Sequence, residues 1–332
     1  MKSRFSSIAQ TLRSPVAAFF RLYRRALVLL AIPLVALPAA AQVAEQLQPN
    51  FGWVPPDDRE ITELGDGLSV ITLSMPGNVA VLSGPDGILL VDNQMPPFDA
   101  QMVEDVRTIT AQDADAVRFV INTHAHPDHL GSNAIWKARG ATNVAHDNVQ
   151  RSVNVAFDTN LGPLTQASVE DVQPMVTYSE EMRFHMNGQT VHVVHPAPAH
   201  TDGDSVVYFE EANVVHTGDI YLNKAFPVVD QTGSLDGLIA ALEGIAARVD
   251  NETRIIPGHG PVSNKAELEA YTADIREMRA IIAAMIEEGM TLEQVVAAKP
   301  FGRFEEEYDL LTGLFSADLI AARAYQIISE GR

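Results

Sequence analysis

The chain has 332 residues, 23 Lys and Arg against 43 Asp and Glu, a formal charge of −20, 46% hydrophobic residues and no cysteine. That length buries a large core without disulfides or a structural metal, and the lack of Cys removes disulfide frameworks, thiolate-bound zinc, iron-sulfur clusters and thiol nucleophiles. The acid excess argues against nucleic acid as a partner, because phosphate neutralisation needs a surplus of Lys and Arg.

Residues 1–41 stand apart from the rest. They carry six cations (Lys2, Arg4, Arg13, Arg21, Arg24, Arg25) and no acid, then the apolar run Ala26 to Leu37 and the small-residue stretch Ala39-Ala40-Ala41. This order reads as a secretory signal cleaved after Ala41. The apolar run is shorter than the ~20 residues that cross a bilayer and is interrupted by Pro33, so no stable membrane insertion is expected. Removing the leader takes the charge from −20 to −26; the expected product is an acidic protein, periplasmic or secreted. Arg24-Arg25 leaves the general and twin-arginine export routes both open.

Residues 42–66, with Pro49, Pro55 and Pro56, read as an irregular lead-in. Strands are predicted at Leu68 to Leu73, Asn78 to Leu82 and Gly87 to Val91, separated by Pro76-Gly77 and Gly84-Pro85-Asp86, an antiparallel meander. The short Met75-Pro76-Gly77 turn would cover little of a pocket. Phe98, Met102, Val103, Val106 and Ile109 fall at helical spacing, and Val117 to Asn122 is a buried-type strand. Further strands follow at Thr190 to His195, Ser205 to Phe209, Asn213 to His216 and Arg254 to Ile256. A helix carries Leu235, Leu238, Leu242 and Ile245 behind a Ser234 cap. Beyond Lys265 the chain is helical, with Thr291 and Gln294 spaced as a capping box. The expectation is layered α/β with sheets inside: a signal peptide at 1–41, one domain at 42–264, and a helical extension at 265–332 packed on it.

All ten histidines lie between His124 and His259. The densest run is Thr123-His124-Ala125-His126-Pro127-Asp128-His129. In an extended segment His124 and His126 point the same way and can share an ion, while Pro127 turns the chain so that Asp128 and His129 face a second position. His200, Asp219 and His259 each stand in a Gly- or Pro-marked loop after a strand, where scaffolds hold functional groups. Together these are seven nitrogen and oxygen donors, enough for two adjacent divalent metals.

The ordered set Thr-His-Ala-His-Pro-Asp-His (Thr123 to His129), Ala-His-Thr (Ala199 to Thr201), Thr-Gly-Asp (Thr217 to Asp219) and Pro-Gly-His-Gly (Pro257 to Gly260) resembles the metallo-β-lactamase superfamily. The resemblance implies a four-layer αββα sandwich with the site at one edge. It implies a first metal on His124, His126 and His200, a second on Asp128, His129 and His259, and Asp219 bridging them. The best-known lactamase subclass has cysteine where Asp219 stands and no histidine where His129 stands; it commonly has a lysine three residues after that cysteine, where this chain has Leu222, with Lys224 two later. The ligand set looks more like glyoxalase II and the lactonases. The diiron oxygen reductases have glutamate at the position of His126.

The expected function is therefore an exported hydrolase with two Zn2+ ions, iron or manganese being alternative metals. A shared hydroxide would open a small cyclic amide or ester, with Asp128 orienting it, Asp219 holding the metals apart, and β-lactams as the leading substrate. The alternatives are a lactonase or thioesterase and, from another class, an inactive metal-binding scaffold. Asn223 and Lys224, with Tyr221 and Phe226, are candidate substrate contacts or an ordinary loop. His192 and His216, inside strands, read as core or supporting residues, and Asp202 and Asp204 as imidazole supports or turn formers. His146 is expected at a helix start, and Trp53 and Trp136 in packing.

Overall fold

A computed structural model describes residues 59–156 and 167–332; the leader, Trp53 and most of the lead-in lie outside them. The first sheet has seven strands in chain order: β1 (Glu60–Gly65), β2 (Leu68–Thr72), β3 (Val79–Gly84), β4 (Gly87–Val91), β5 (Val117–Ile121), β6 (Thr142–His146) and β7 (Val176–Tyr178). Strands β1 to β4 form the expected antiparallel meander, and β4 to β7 run parallel. The second sheet has the order β12-β11-β10-β9-β8, from β8 (Glu181–Met186), β9 (Gln189–Val194), β10 (Val206–Phe209), β11 (Val214–His216) and β12 (Arg254–Ile256).

The period-two alternation of side chains divides each strand between two layers. In β3 and β4, Ala80, Leu82, Leu89 and Val91 point to the second sheet and meet Val191, Val193, Val207 and Ile256. Their neighbours Val79, Val81, Ile88 and Leu90 point outward, onto Met102, Val103 and Val106 of α1 (Asp99–Thr110) and onto Trp136. In the second sheet Val206, Val215 and Ile255 face away from the first and pack on Leu238, Leu242 and Ile245 of α6 (Leu235–Arg248). Helix, sheet, sheet and helix are thus stacked in four layers, the αββα sandwich expected from the sequence.

On the parallel half of the first sheet lie α2 (Pro127–Leu130), α3 (Asn133–Ala138), α4 (Asp147–Ala156) and α5 (Val169–Val172). Ser234 caps α6 by accepting from the Gly237 amide at 3.1 Å. Next come α7 (Lys265–Glu287), α8 (Leu292–Ala297), with the Thr291/Gln294 capping box, and α9 (Ala317–Ser329). Leu268, Ile275, Val295, Ile320 and Ile327 from these helices enter the same core as α6. Among the described residues no helix is long and apolar enough to cross a membrane.

Candidate metal centre

The strands deliver their C-terminal ends to one edge of the sandwich. His124 follows β5, His126 stands at the N-terminus of α2, Asp128 and His129 lie within α2, His200 follows β9, Asp219 sits in the turn after β11, and His259 follows β12. Residues from both sheets and over 130 positions apart therefore converge. His124, His126, His200 and Asp219 form one group whose candidate ligand atoms lie within 4.8 Å of one another; Asp128, His129 and His259 form a second. Asp219 adjoins both, with Oδ2 3.6 Å from His200 Nε2 and 3.6 Å from His259 Nε2.

Each imidazole has one ring nitrogen turned outward to a partner, which settles what the other can do. His129 Nδ1 donates to Asp92 Oδ2 at 2.7 Å and His259 Nδ1 to the Ser74 carbonyl at 2.8 Å. His200 Nδ1 donates to the Val228 carbonyl at 2.7 Å. Thr123 Oγ1 gives its proton to Asp92 and so accepts from His124 Nδ1 at 3.0 Å. His126 turns Nε2 to Asp230 Oδ2 at 3.6 Å and Nδ1 to the cluster. The inward atoms are thus bare lone pairs in the neutral rings. Two of them, His129 Nε2 and His259 Nε2, face each other at 3.2 Å, and the buried His124 Nε2 and Asp219 Oδ1 have no hydrogen-bond partner. Opposed lone pairs and orphaned buried acceptors call for positive charge between them, and this all nitrogen and oxygen donor set fits zinc, iron or manganese.

The proton affinities of the metal-free site describe the same demand. Burial, reinforced by the neighbouring His129, holds His124 well below its ordinary value, and burial pushes His200 down to about 4 despite Asp219. At His129 burial is outweighed by Asp219, Asp128 and Asp92, which raise it well above the ordinary value; at His259 burial is outweighed by Asp219 and Asp128, which raise it to about 9. Asp219, in spite of its burial, is held well below the usual carboxylate range by His129, His259 and His124. A proton at the second group occupies the place a divalent cation would take.

The outward partners are mostly residues the sequence did not announce. Asp92, fully buried, follows β4 with φ +63° and takes the Thr123 amide at 2.7 Å, the Thr123 hydroxyl at 2.8 Å and His129. Asn78 donates to the Pro257 and Gly260 carbonyls, both at 2.8 Å, and ties the His259 loop to the β2–β3 turn. In that turn a Cβ on Gly77 would lie 2.3 Å from His129 Cε1, and one on Gly258 would lie 1.9 Å from Asp219 Oδ1, so both loops approach the site as glycine alone permits. Asp92 had one visible signal, a polar residue directly after a buried strand; Asn78 was read as a strand start.

Other candidates fall as follows. Asp204 takes the Thr201 amide at 2.9 Å and hydroxyl, shaping the loop of His200, and burial raises it to about 7. His216 accepts from the Gly218 amide at 3.1 Å and supports the Asp219 turn. His192 pairs with Glu181 and Arg248, and His146 ends β6, one residue before α4. Trp136 is buried in the outer core. Of the expected substrate contacts, Asn223 turns its amide to the Pro261 carbonyl at 3.1 Å and Lys224 is engaged with Glu307 at 2.5 Å. The C-terminal segment, paired with this loop through the Ala225–Asp309 bridge, supplies the carboxylate that pairs with Lys224.

An αββα sandwich with two adjoining His/Asp groups at the strand ends defines a class of metal-centred proteins. The chain belongs to the metallo-beta-lactamase superfamily, whose profile matches residues 74–263, and whose members are mostly hydrolases. It is 24% identical over 210 residues to the metallo-beta-lactamase type 2 of Bacillus cereus, covering 61% of this chain and 73% of that protein. It is 22% identical over 212 residues to the beta-lactamase-like protein 2 homolog of Caenorhabditis elegans, covering 62% of this chain and 65% of that one. Among solved structures, a metallo-beta-lactamase from Pontibacter korlensis aligns with TM-score 0.54 and 19% identity over 66% of this chain and 99% of its own. A stereoselective inverting sec-alkylsulfatase from Pseudomonas sp. aligns with TM-score 0.61 and 16% identity over 81% of this chain and 50% of its own. These structural likenesses are likenesses of fold.

Proposed function

We propose that the protein is an exported binuclear zinc hydrolase that opens a small cyclic amide or ester, with β-lactams the leading substrate. The observation that carries the reading is the set of five imidazoles, each held by an outward partner so that a lone pair points into a cluster with Asp128 and Asp219. His124, His126 and His200 would hold the first ion, Asp128, His129 and His259 the second, and Asp219 both. Zinc bound there would supply a water of lowered pKa and a Lewis acid for the carbonyl oxygen.

The chain's own residues do the positioning. Asp219, between the groups, sets their separation. Asp128, on the first turn of α2 and 3.3 Å from His259 Nε2, would orient the attacking hydroxide. Asp92 and Val228 fix the tautomers and orientations of His129 and His200, leaving each Nε2 directed into the cluster. The expected site of action is the periplasm or the exterior, after loss of residues 1–41, with residues 42–264 as the catalytic domain and 265–332 packed on it.

One observation favours a second reading, a lactonase or thioesterase. The ammonium of Lys224 is paired with Glu307, so a β-lactam carboxylate would have to compete with Glu307 for it. The deciding experiment is hydrolysis of a chromogenic cephalosporin by the zinc-loaded protein beside lactone and thioester panels. Turnover abolished by chelation and by Asp219→Ala, with metal content falling in step, is expected. Failure on all cephalosporins and carbapenems with turnover of a lactone or thioester would replace the first reading by the second; zinc binding with no turnover of any would leave an inactive scaffold.

A further inference from the structure

The exposures of the side chains show where the metal centre opens to solvent. His124, His129, His200 and His259 are at most 3% exposed, whereas His126 is 31% exposed and its neighbour Asp230 28%. The mouth of the centre therefore lies over the first group, and Asp230 stands on its rim.

The turn from Val228 to Ser234 is built to hold that carboxylate still. Asp230 Oδ1 accepts from the Thr232 amide at 2.6 Å, the Thr232 hydroxyl at 2.7 Å and the Gly233 amide at 3.0 Å. The amide of Asp230 donates to the His200 carbonyl at 2.9 Å, and Arg332 holds the turn from outside, donating to the Gln231 and Gly233 carbonyls at 2.8 and 2.7 Å. Oδ2 has no such set of donors. It faces His126 Nε2 at 3.6 Å, and a carboxylate oxygen has lone pairs for two donors. A fixed anion at the rim is thus left with acceptor capacity to spare.

No cation of the chain takes up that capacity. Among the described residues no Lys or Arg forms an ion pair with Asp230, whose one such partner is His126. Arg323 lies close enough to sense its charge but turns Nε to the Val229 carbonyl and Nη1 to Gln326. Arg332 pairs with Glu330. Two divalent ions in the centre would be balanced by Asp92, Asp128, Asp219 and one hydroxide, which leaves the charge of Asp230 in surplus.

We propose that Asp230 is a specificity residue for the hydrolase, its Oδ2 taking the ammonium of a substrate that carries a protonated amine a few bonds from the carbonyl to be opened. The inference rests on the metal-centred hydrolase reading above and narrows its substrate class. An ion held by His126 Nδ1 at about 2.1 Å lies across the ring from Oδ2, so a carbonyl at the ion and an amine at Asp230 are spanned by a short chain. A charge-assisted bond to a carboxylate already fixed by its own turn needs little further ordering. An anionic substituent in the same place would be repelled.

The probes are three hydroxamates of matched length that share one metal-binding group: β-alanine hydroxamate with a terminal ammonium, butyrohydroxamate with a methyl, and succinate monohydroxamate with a carboxylate. Calorimetric titration of the zinc-loaded full chain should show the ammonium compound binding about tenfold more tightly than the methyl one, and the carboxylate compound most weakly. The ratio of the first two affinities cancels any change in the zinc itself. Asp230→Asn, isosteric and uncharged, should bring that ratio to within about twofold at matched zinc content. Thr232→Val keeps the charge but removes one donor to Oδ1; it should lower the ratio about threefold and reports even if Asp230→Asn loses zinc. The variant Glu287→Gln/Glu288→Gln, which removes two exposed acids elsewhere, should leave the ratio unchanged and so separates a contact from general attraction to an acidic protein. Equal affinity for the ammonium and methyl compounds would overturn the proposal. So would a preference that survives Asp230→Asn, or that survives Thr232→Val where Asp230→Asn loses its zinc, or that disappears in the Glu287/Glu288 variant. Ammonium preference without turnover of any β-lactam, lactone or thioester would sink the hydrolase reading and keep the contact; failure to bind zinc would sink both.

Discussion

His129 Nε2 and His259 Nε2 oppose each other at 3.2 Å, and neither ring can turn away because Asp92 and the Ser74 carbonyl hold their far nitrogens. The repulsion between the neutral rings is built in from both sides, and a proton or a bound cation between them relieves it. The same arrangement makes the residues behind the imidazoles as consequential as the imidazoles.

Asp92→Ala removes the acceptor of His129 and of the Thr123 hydroxyl and amide together. Partners of this kind are worth roughly 10 to 100-fold in metal affinity. Metal titration should show the second equivalent weakened by about that factor and the first less, because His126 and His200 have other supports. Equal loss at both positions would mean that Asp92 acts on the fold rather than on His129.

Gly77→Ala places a methyl 2.3 Å from His129 Cε1 and 2.7 Å from its Nε2. Asp92 blocks retreat of the ring, so the turn itself must shift. Overpacking of this sort costs about 1–3 kcal/mol. Chemical denaturation should register that loss, and the second metal equivalent should be lost with it.

The metal-free protein should lose stability as the pH rises. His259 has a folded pKa raised to about 9 from an ordinary 6.5, and His129 is raised in the same direction. A raised pKa means that the folded state holds the proton more tightly, so the stabilisation is complete below about 6.5 and disappears on passing 9. Thermal denaturation from pH 6 to 9.5 should show a falling midpoint without metal. The metal-loaded protein, whose imidazoles are neutral and ligated, should show a flatter profile, and metal uptake should release protons.

Arg323→Met tests whether the C-terminal helices reach the first group. Arg323 Nε donates to the Val229 carbonyl at 2.9 Å, next to the Val228 carbonyl that holds His200, and the Asp230 amide donates to the His200 carbonyl at 2.9 Å. The lost hydrogen bond is partly offset because Arg323 Nη2 is buried without a partner, so stability should change by about 1 kcal/mol or less. Affinity of the first metal equivalent should fall by more than that of the second. A change confined to stability would uncouple the helix from the site.

The sandwich was legible where periodicity was clean. Gly87 to Val91 is buried on both faces and appeared as an unbroken apolar run; the Ser234 and Thr291 caps appeared through their own chemistry. Strand β1 was not legible, because Glu60, Thr62 and Glu63 give an edge strand the look of an acidic loop, and the same holds for β8, where Glu181, Arg183 and His185 alternate along the second sheet's edge. The seven cluster residues were legible because metal chemistry restricts residue type and spacing. Their supports were not, since an Asn, an Asp or a main-chain carbonyl becomes specific only when the fold brings it to a ring nitrogen, as it does for Asn78, Asp92 and Val228. The pairing of Lys224 with Glu307 was not legible for the same reason, since the two lie 83 residues apart.

The two groups each draw on both sheets, His124 or His129 from the first and His200 or His259 from the second. A folding intermediate with either sheet alone would own no complete set of ligands. Metal capture would thus come after the sheets close on each other, and the ion would act as a late clasp, slowing the separation of the halves more than it hastens their meeting.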